Sequence, residues 1–456
     1  MQLASLSFLL LGLPLLLLIY YCIPAKGKQI YLLFSSLLLY SWGSWLKLFY
    51  LAGFIFYDYI IGLVIGKYKR KKIICSNILL CSVILQVAEM VWIRSIMQMY
   101  EDVMFLIGIA VCTLQGLGYL INIYRNKYPA EVNFIRLGVY FVMFPILLAG
   151  PVFSYEAYLK QLEYRKLNII ALSDGLSLFI RGLAQKVILA NTFGYIFKEL
   201  KQISPDYMSM LTAWLITIVF SMYLYFELLS YSEMARGLGK CFGYELPKNF
   251  SHPFFTSSIT AFIQSWNITL VLWFQDNFMN FLFPQNKNNN KWKYFLGLII
   301  MGILIGSWYG VKLQFLVWGF LMGVLLVLDK LVIEKFIRKR YIFGLLYTGI
   351  LLQFLWVLFF ADNLKETVLY WKAMLGFFNG ITDSNGTYFF MSYIGLLLIG
   401  FYVATDLFRN IAERFTSAKI GQKFVLFTPV FQGILLIFCI AFMLYGEQNS
   451  MLWLCI

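Results

Sequence analysis

Eight ionisable side chains stand in or beside long apolar runs of this sequence: Asp58, Glu89, Arg136, Arg181, Lys186, Glu227, Glu233 and Asp276. A charge inside a bilayer is costly, so each is a candidate for a proton relay, a substrate contact or a buried ion pair. A carboxylate in such a place can act as a general base once burial raises its pKa. Glu227 lies three residues before Ser230 and four before Tyr231, so on a helix the three share a face. The competing reading is that Glu227 and Glu233 pair with cations such as Arg181 or Lys186 and hold helices together. Taken as a group, the eight imply a polar interior cavity.

A second stretch with chemical character is AFIQSWNITLVLWFQD, Ala261 to Asp276. It places Gln264, Ser265, Asn267, Thr269 and Gln275 between tryptophans and phenylalanines. That is too polar for a lipid-facing helix and too aromatic for a solvated loop. The only histidine, His252, precedes a proline in PKNFSHPFF and is expected in a turn rather than in catalysis. The seven cysteines show no CxxC or histidine-paired spacing, so they are expected as small buried hydrophobes and no metal site is expected.

The elements that position these residues follow from composition. Hydrophobic residues make up 61% of the 456 residues and charged ones only 13%, against about a quarter charged in soluble domains. This is the composition of an all-α polytopic integral membrane protein. No stretch is polar enough for a separate soluble domain, so residues 1–456 read as one membrane domain with a re-entrant polar segment near 255–283. A spanning helix needs about 20 apolar residues, and the apolar runs between residues 3 and 446 predict roughly 11–13 transmembrane or re-entrant helices.

The net charge of +15 is concentrated in short loops beside these runs: KYKRKK at 67–72, EKFIRKR at 334–340 and the stretch Arg409 to Lys423. Loops of this kind orient a membrane protein with the basic side in the cytoplasm. They therefore exclude nucleic acid as the partner and point to anionic lipid headgroups. The first basic residues, Lys26 and Lys28, follow the first span, which predicts an N-terminus outside. QNKNNNK at 285–291 reads as a plain loop. No internal repeat is visible, which counts against a secondary transporter that uses a funnel to pass a lipid or small molecule.

Several strings carry a resemblance at matching order and spacing. They are SLLLYSWG at 36–43, GLGYLINIYRNKYPAEVNF at 116–134, FPILLAGPV at 144–152, YFELLSYSEMARGLGKCFGYELPKNF at 225–250 and WVLFFADNL at 356–364. Together they are similar to the membrane-bound O-acyltransferases, in the bacterial branch that acetylates alginate-like polysaccharides and transfers D-alanine to teichoic acids. The resemblance implies helices around a central funnel and a re-entrant segment, here AFIQSWNITL, lining a reaction chamber. It also implies acyl transfer from a thioester on coenzyme A or a carrier protein to a hydroxyl. Membrane lipids, an acyl-carrier protein and other envelope-modification proteins are the partners implied, with no bound cofactor.

The family's histidines fall at Asn267, Tyr309 and Met322 of this chain. An arginine run is replaced by Gln264 and Ser265, and a Ser-Gly pair by Leu229 and Ser230. Tyrosine has an unperturbed pKa of about 10 and an asparagine amide does not titrate, so the obvious general base is missing. General-base help is typically worth about 10²–10⁴-fold. The expectation is a binding or accessory subunit of envelope-polymer O-acylation. The alternative is an active enzyme with rewired residues at Asn267 and Tyr309. Glu227, Tyr231, Glu233, Trp266, Trp308 and Asp276 are the residues expected to line the substrate path.

Overall fold

The computed structural model describes residues 3–42, 44–97, 103–147, 150–163, 168–283, 291–333, 340–405 and 427–445. Among these, every regular element is a helix. Seven helices are long and apolar enough to cross a membrane, and four further apolar helices of 10–17 residues accompany them. The protein is thus a multi-pass membrane protein, and these helices together sit at the lower edge of the expected range. The basic stretches at 334–339 and 409–423, most of the 285–291 segment and Cys455 lie outside the described residues.

The chain divides into two units. One comprises Met1–Gly182, Tyr231–Lys248 and Leu272–Leu282; the other comprises Leu183–Ser230, Asn249–Val271 and Phe283–Ile456.

In the first unit, helices α1 (Trp45–Lys67), α2 (Lys72–Met97) and α3 (Val103–Tyr124) meet around one carboxylate. Asp58 of α1 is fully buried, and the Gln86 amide of α2 donates to its Oδ1 at 2.7 Å. Gly116 of α3 makes room for it, since a Cβ there would lie 2.3 Å from Asp58 Oδ2. Arg136 is held by Glu131 at 3.3 Å. Glu131 also accepts from the Tyr155 hydroxyl at 2.5 Å and the Asn133 amide at 2.8 Å.

The second unit opens on a π-helical turn at Gln185–Ala190 and contains the first two-thirds of α4 (Met210–Cys241), a 32-residue helix. Two short helices follow, α5 (Ile259–Ser265) and α6 (Ile268–Phe274), the last three residues of α6 belonging to the first unit. Then come α7 (Lys291–Tyr309), α8 (Leu313–Leu328) and α9 (Tyr341–Phe360). The last pair described in this run is α10 (Leu364–Met374) and α11 (Ser384–Val403). Helices α7 and α8 form a tight antiparallel pair because their seam is made of glycine. Gly302 and Gly306 face Gly319 and Gly323, and a Cβ on Gly302 would lie 2.4 Å from the Gly319 carbonyl oxygen. Lipid gives no hydrophobic drive to helix association, so such small-residue seams supply the packing.

The segment before α11 ends on a built cap. Asp383 accepts from the Gly386 amide at 2.6 Å and from the Thr212 hydroxyl at 2.7 Å, which ties α11 to the start of α4. Burial pushes the Asp383 carboxyl up, but the hydrogen bonds from Thr212, Gly386 and Ser209 outweigh it and hold its pKa below the usual carboxylate value. A lowered folded-state pKa means the stabilisation is complete above the unfolded value and is lost as pH falls through the folded one. Asp383→Ala is expected to cost about 1 kcal/mol at neutral pH, as cap losses typically do. Thermal unfolding of the detergent-solubilised variant checks this, and the difference from wild type should shrink at acid pH.

Candidate functional site

The polar-aromatic stretch of the sequence forms a broken helix. α5 starts on Ser258, whose hydroxyl accepts from the Ala261 amide at 3.1 Å. The Thr260 amide donates to Asp329 Oδ2 at 2.8 Å, so a fully buried carboxylate on the π-turn after α8 also holds this helix start. A carboxylate is favourable there because the helix N-terminus carries partial positive charge. The helix stops at Trp266, and Asn267 takes a left-handed backbone, φ +46°. Asparagine, aspartate and histidine are the side chains that adopt this conformation most readily.

Breaking a helix inside a membrane protein exposes backbone groups that need partners. The turn at 249–251 supplies them. The Ile268 amide donates to the Asn249 carbonyl at 2.8 Å, and the Ser251 amide donates to the Ser265 carbonyl at 3.0 Å. Asn249 Oδ1 accepts from the Thr269 hydroxyl at 2.6 Å and from its amide at 3.2 Å. The break is therefore a built feature of the fold. His252 sits beside it with φ +52°, preceding the single turn Pro253–Phe255, as expected of a turn residue.

At the break, Trp266 and Asn267 meet the end of α7. Trp266 Nε1 donates to the Tyr309 hydroxyl oxygen at 3.0 Å, and Asn267 Nδ2 donates to the same oxygen at 3.3 Å. All three residues are buried. A hydroxyl oxygen has two acceptor lone pairs, and both are taken. An aromatic enclosure surrounds this junction. Trp266 lies 5.1 Å from Trp356 and 5.3 Å from Phe250, and Tyr309 lies 5.4 Å from Phe359 and 5.8 Å from Trp318, centroid to centroid. Met322 is also buried in this unit. The indole N–H groups of Trp308, Trp318 and Trp356 are buried with no acceptor among the described residues.

In their ion pairs and hydrogen bonds, the remaining candidate residues lie away from this junction. Lys186, in the π-turn, donates to both carboxylate oxygens of Glu227, at 2.6 and 2.8 Å, and both side chains are buried. Ser230 donates to the Glu227 backbone carbonyl at 2.8 Å. Glu233 pairs with Arg236 one turn along its own helix, not with Arg181, which is exposed. Tyr231 is buried in the first unit. Asp276 is exposed, and its carboxylate accepts from Asn280 at 3.2 Å. Glu89 is half-buried on α2.

Sequence reasoning missed Asn249 and Asp329 as the residues that build the break. Asn249 was visible as the polar residue of PKNF. Asp329 had a weaker signal, an acid beside a lysine at the end of an apolar run.

No protein-family model matches the chain. Among curated proteins, the probable alginate O-acetylase AlgI of Azotobacter vinelandii is 27% identical over 428 residues, covering 88% of this chain and 84% of that protein. A peptidoglycan O-acetyltransferase of Helicobacter pylori is 25% identical over 429 residues, covering 82% of this chain and 80% of its own length. A teichoic acid D-alanyltransferase of Bacillus subtilis is 26% identical over 233 residues, 48% of this chain and 58% of that protein. Fold and site define a polytopic helical membrane protein with a built helix break at a buried polar junction. In sequence the chain is similar over most of its length to these envelope-polymer acyltransferases, in agreement with the resemblance to membrane-bound O-acyltransferases.

Proposed function

We propose that this chain serves O-acylation of a cell-envelope polymer as a binding or accessory subunit, without itself supplying the general base. The relatives act on alginate, peptidoglycan and teichoic acid, which sets the class of acceptor. The observation that carries the reading is the closed junction at Tyr309. Its hydroxyl oxygen already accepts from Trp266 and Asn267, so no lone pair remains to take a proton from an incoming hydroxyl. Asn267 offers an amide, which has no basic nitrogen. Glu227 is saturated by Lys186 and is not free to replace the missing base. The two residues at the family's histidine positions thus meet each other beside a helix break that the 249–251 turn already holds. The single-domain organisation, the external N-terminus and an acyl-carrier or envelope-modification partner belong to the same proposal.

The test is alkali-labile ester on envelope polymers from cells lacking this gene, rescued with wild type or with the Asn267→Ala, Tyr309→Phe double variant. Equal rescue, within about twofold, is expected. A loss near the roughly 10²-fold floor of general-base catalysis, with the variant protein present at normal abundance, would mean the junction is chemically active.

A further inference from the structure

A cleft of about 360 Å³ opens in the first unit, lined by Ile65, Lys69, Lys72, Cys75, Tyr124, Arg125, Asn126 and Phe281. We propose that it binds the phosphate of an anionic phospholipid headgroup.

Three cations and no carboxylate line this cleft. Lys69 belongs to the turn joining α1 to α2, and Lys72 is the first residue of α2, whose N-terminal end adds positive potential. Arg125 follows the last residue of α3. Its guanidinium is preorganised, since Nη1 donates to the Asp276 carbonyl at 2.8 Å and the group lies 5.6 Å from the centre of the Phe281 ring. Asn126, with φ +59°, turns the chain immediately after it. Asp276, whose backbone carbonyl Arg125 meets, has its carboxylate engaged by Asn280. A fixed guanidinium with two flexible ammonium groups is a donor set suited to phosphate oxygens.

The position of the cleft selects a lipid over a soluble anion. It lies where α1 ends, at Lys67, and α2 begins, at Lys72, and both helices are of membrane-crossing length and composition. Their shared turn therefore stands at the headgroup level of the bilayer. Ile65, Tyr124 and Phe281 add apolar and aromatic lining to the same cleft, which suits the glycerol and first acyl carbons of a phospholipid.

The experiment is lipid retention by the purified full chain in detergent, read by native mass spectrometry with added phosphatidylglycerol or phosphatidylcholine. Wild type is compared with Lys69→Gln, Lys72→Gln and, for the same loss of charge elsewhere, Lys291→Gln, Lys293→Gln; all four lysines are exposed. The expected result is phosphatidylglycerol binding that falls roughly tenfold in the cleft variant only, with phosphatidylcholine unchanged. Equal loss in both double variants, or none in either, would overturn the site. Full displacement of the lipid by millimolar inorganic phosphate would overturn the lipid as occupant and assign the cleft to a soluble phosphate.

Discussion

Lys186→Met is expected to destabilise the protein by about 3–5 kcal/mol, the cost typical of stripping one partner from a buried ion pair. Lys186 and Glu227 are almost completely inaccessible, and the ammonium meets both carboxylate oxygens at 2.6 and 2.8 Å. With the lysine gone, Glu227 keeps a buried charge with its principal partner removed, and the desolvation cost of that charge is no longer offset. The double variant Lys186→Met, Glu227→Met removes both charges together and should recover most of the loss, because an apolar pair of similar volume has no desolvation cost. The measurement is the thermal midpoint of detergent-solubilised protein for wild type, the single and the double variant. A single variant that loses less than about 1 kcal/mol would place this pair with exposed ones and contradict its role as the brace between the π-turn and α4.

Gly302→Val should be nearly as damaging, and for a steric reason. The Cβ alone would lie 2.4 Å from the Gly319 carbonyl oxygen and 2.9 Å from the Gly323 nitrogen. Both obstacles are backbone, so no side chain can move aside and α7 must separate from α8. Overpacking of this kind typically costs about 1–3 kcal/mol, occasionally more; Gly302→Ala is expected in that range and the valine beyond it. Tyr309 is seven residues further along α7, about 10 Å and two turns away on the same face. Separation of the helices therefore also displaces the hydroxyl that receives Trp266 and Asn267. The prediction is loss of folded protein and failed ester rescue for Gly302→Val. Gly349→Ala provides the control, since a Cβ there meets nothing within 4 Å. A valine variant of normal stability would show that the seam is not needed to hold α7 against α8.

These two expectations separate scaffold from chemistry. If rescue survives Asn267→Ala, Tyr309→Phe but not Gly302→Val, the chain acts through its shape and binding surface. That is the outcome the closed Tyr309 junction favours.

The sequence by itself determined the class of the protein. Long apolar runs can satisfy their backbone in a bilayer only as helices, so the all-helical, multi-pass architecture follows from composition and run length alone. The polar character of Gln264 to Thr269 likewise marked a segment that does not face lipid, whereas the service of Asn249 to its break was not legible. Partner choice was decided only in three dimensions. Glu227 had Arg181 and Lys186 as equal candidates in the sequence, and Glu233 had the same two. The fold gave Glu227 to Lys186 and paired Glu233 with Arg236 on its own helix. Asp329 shows the same limit, since nothing in its neighbourhood indicates that it holds the Thr260 amide, 69 residues away along the chain. Run length and hydropathy are local properties that a chain carries wherever it lies. A hydrogen bond between distant residues exists only after the helices have packed, and the glycine seam and the helix break that set that packing act through tenths of an ångström.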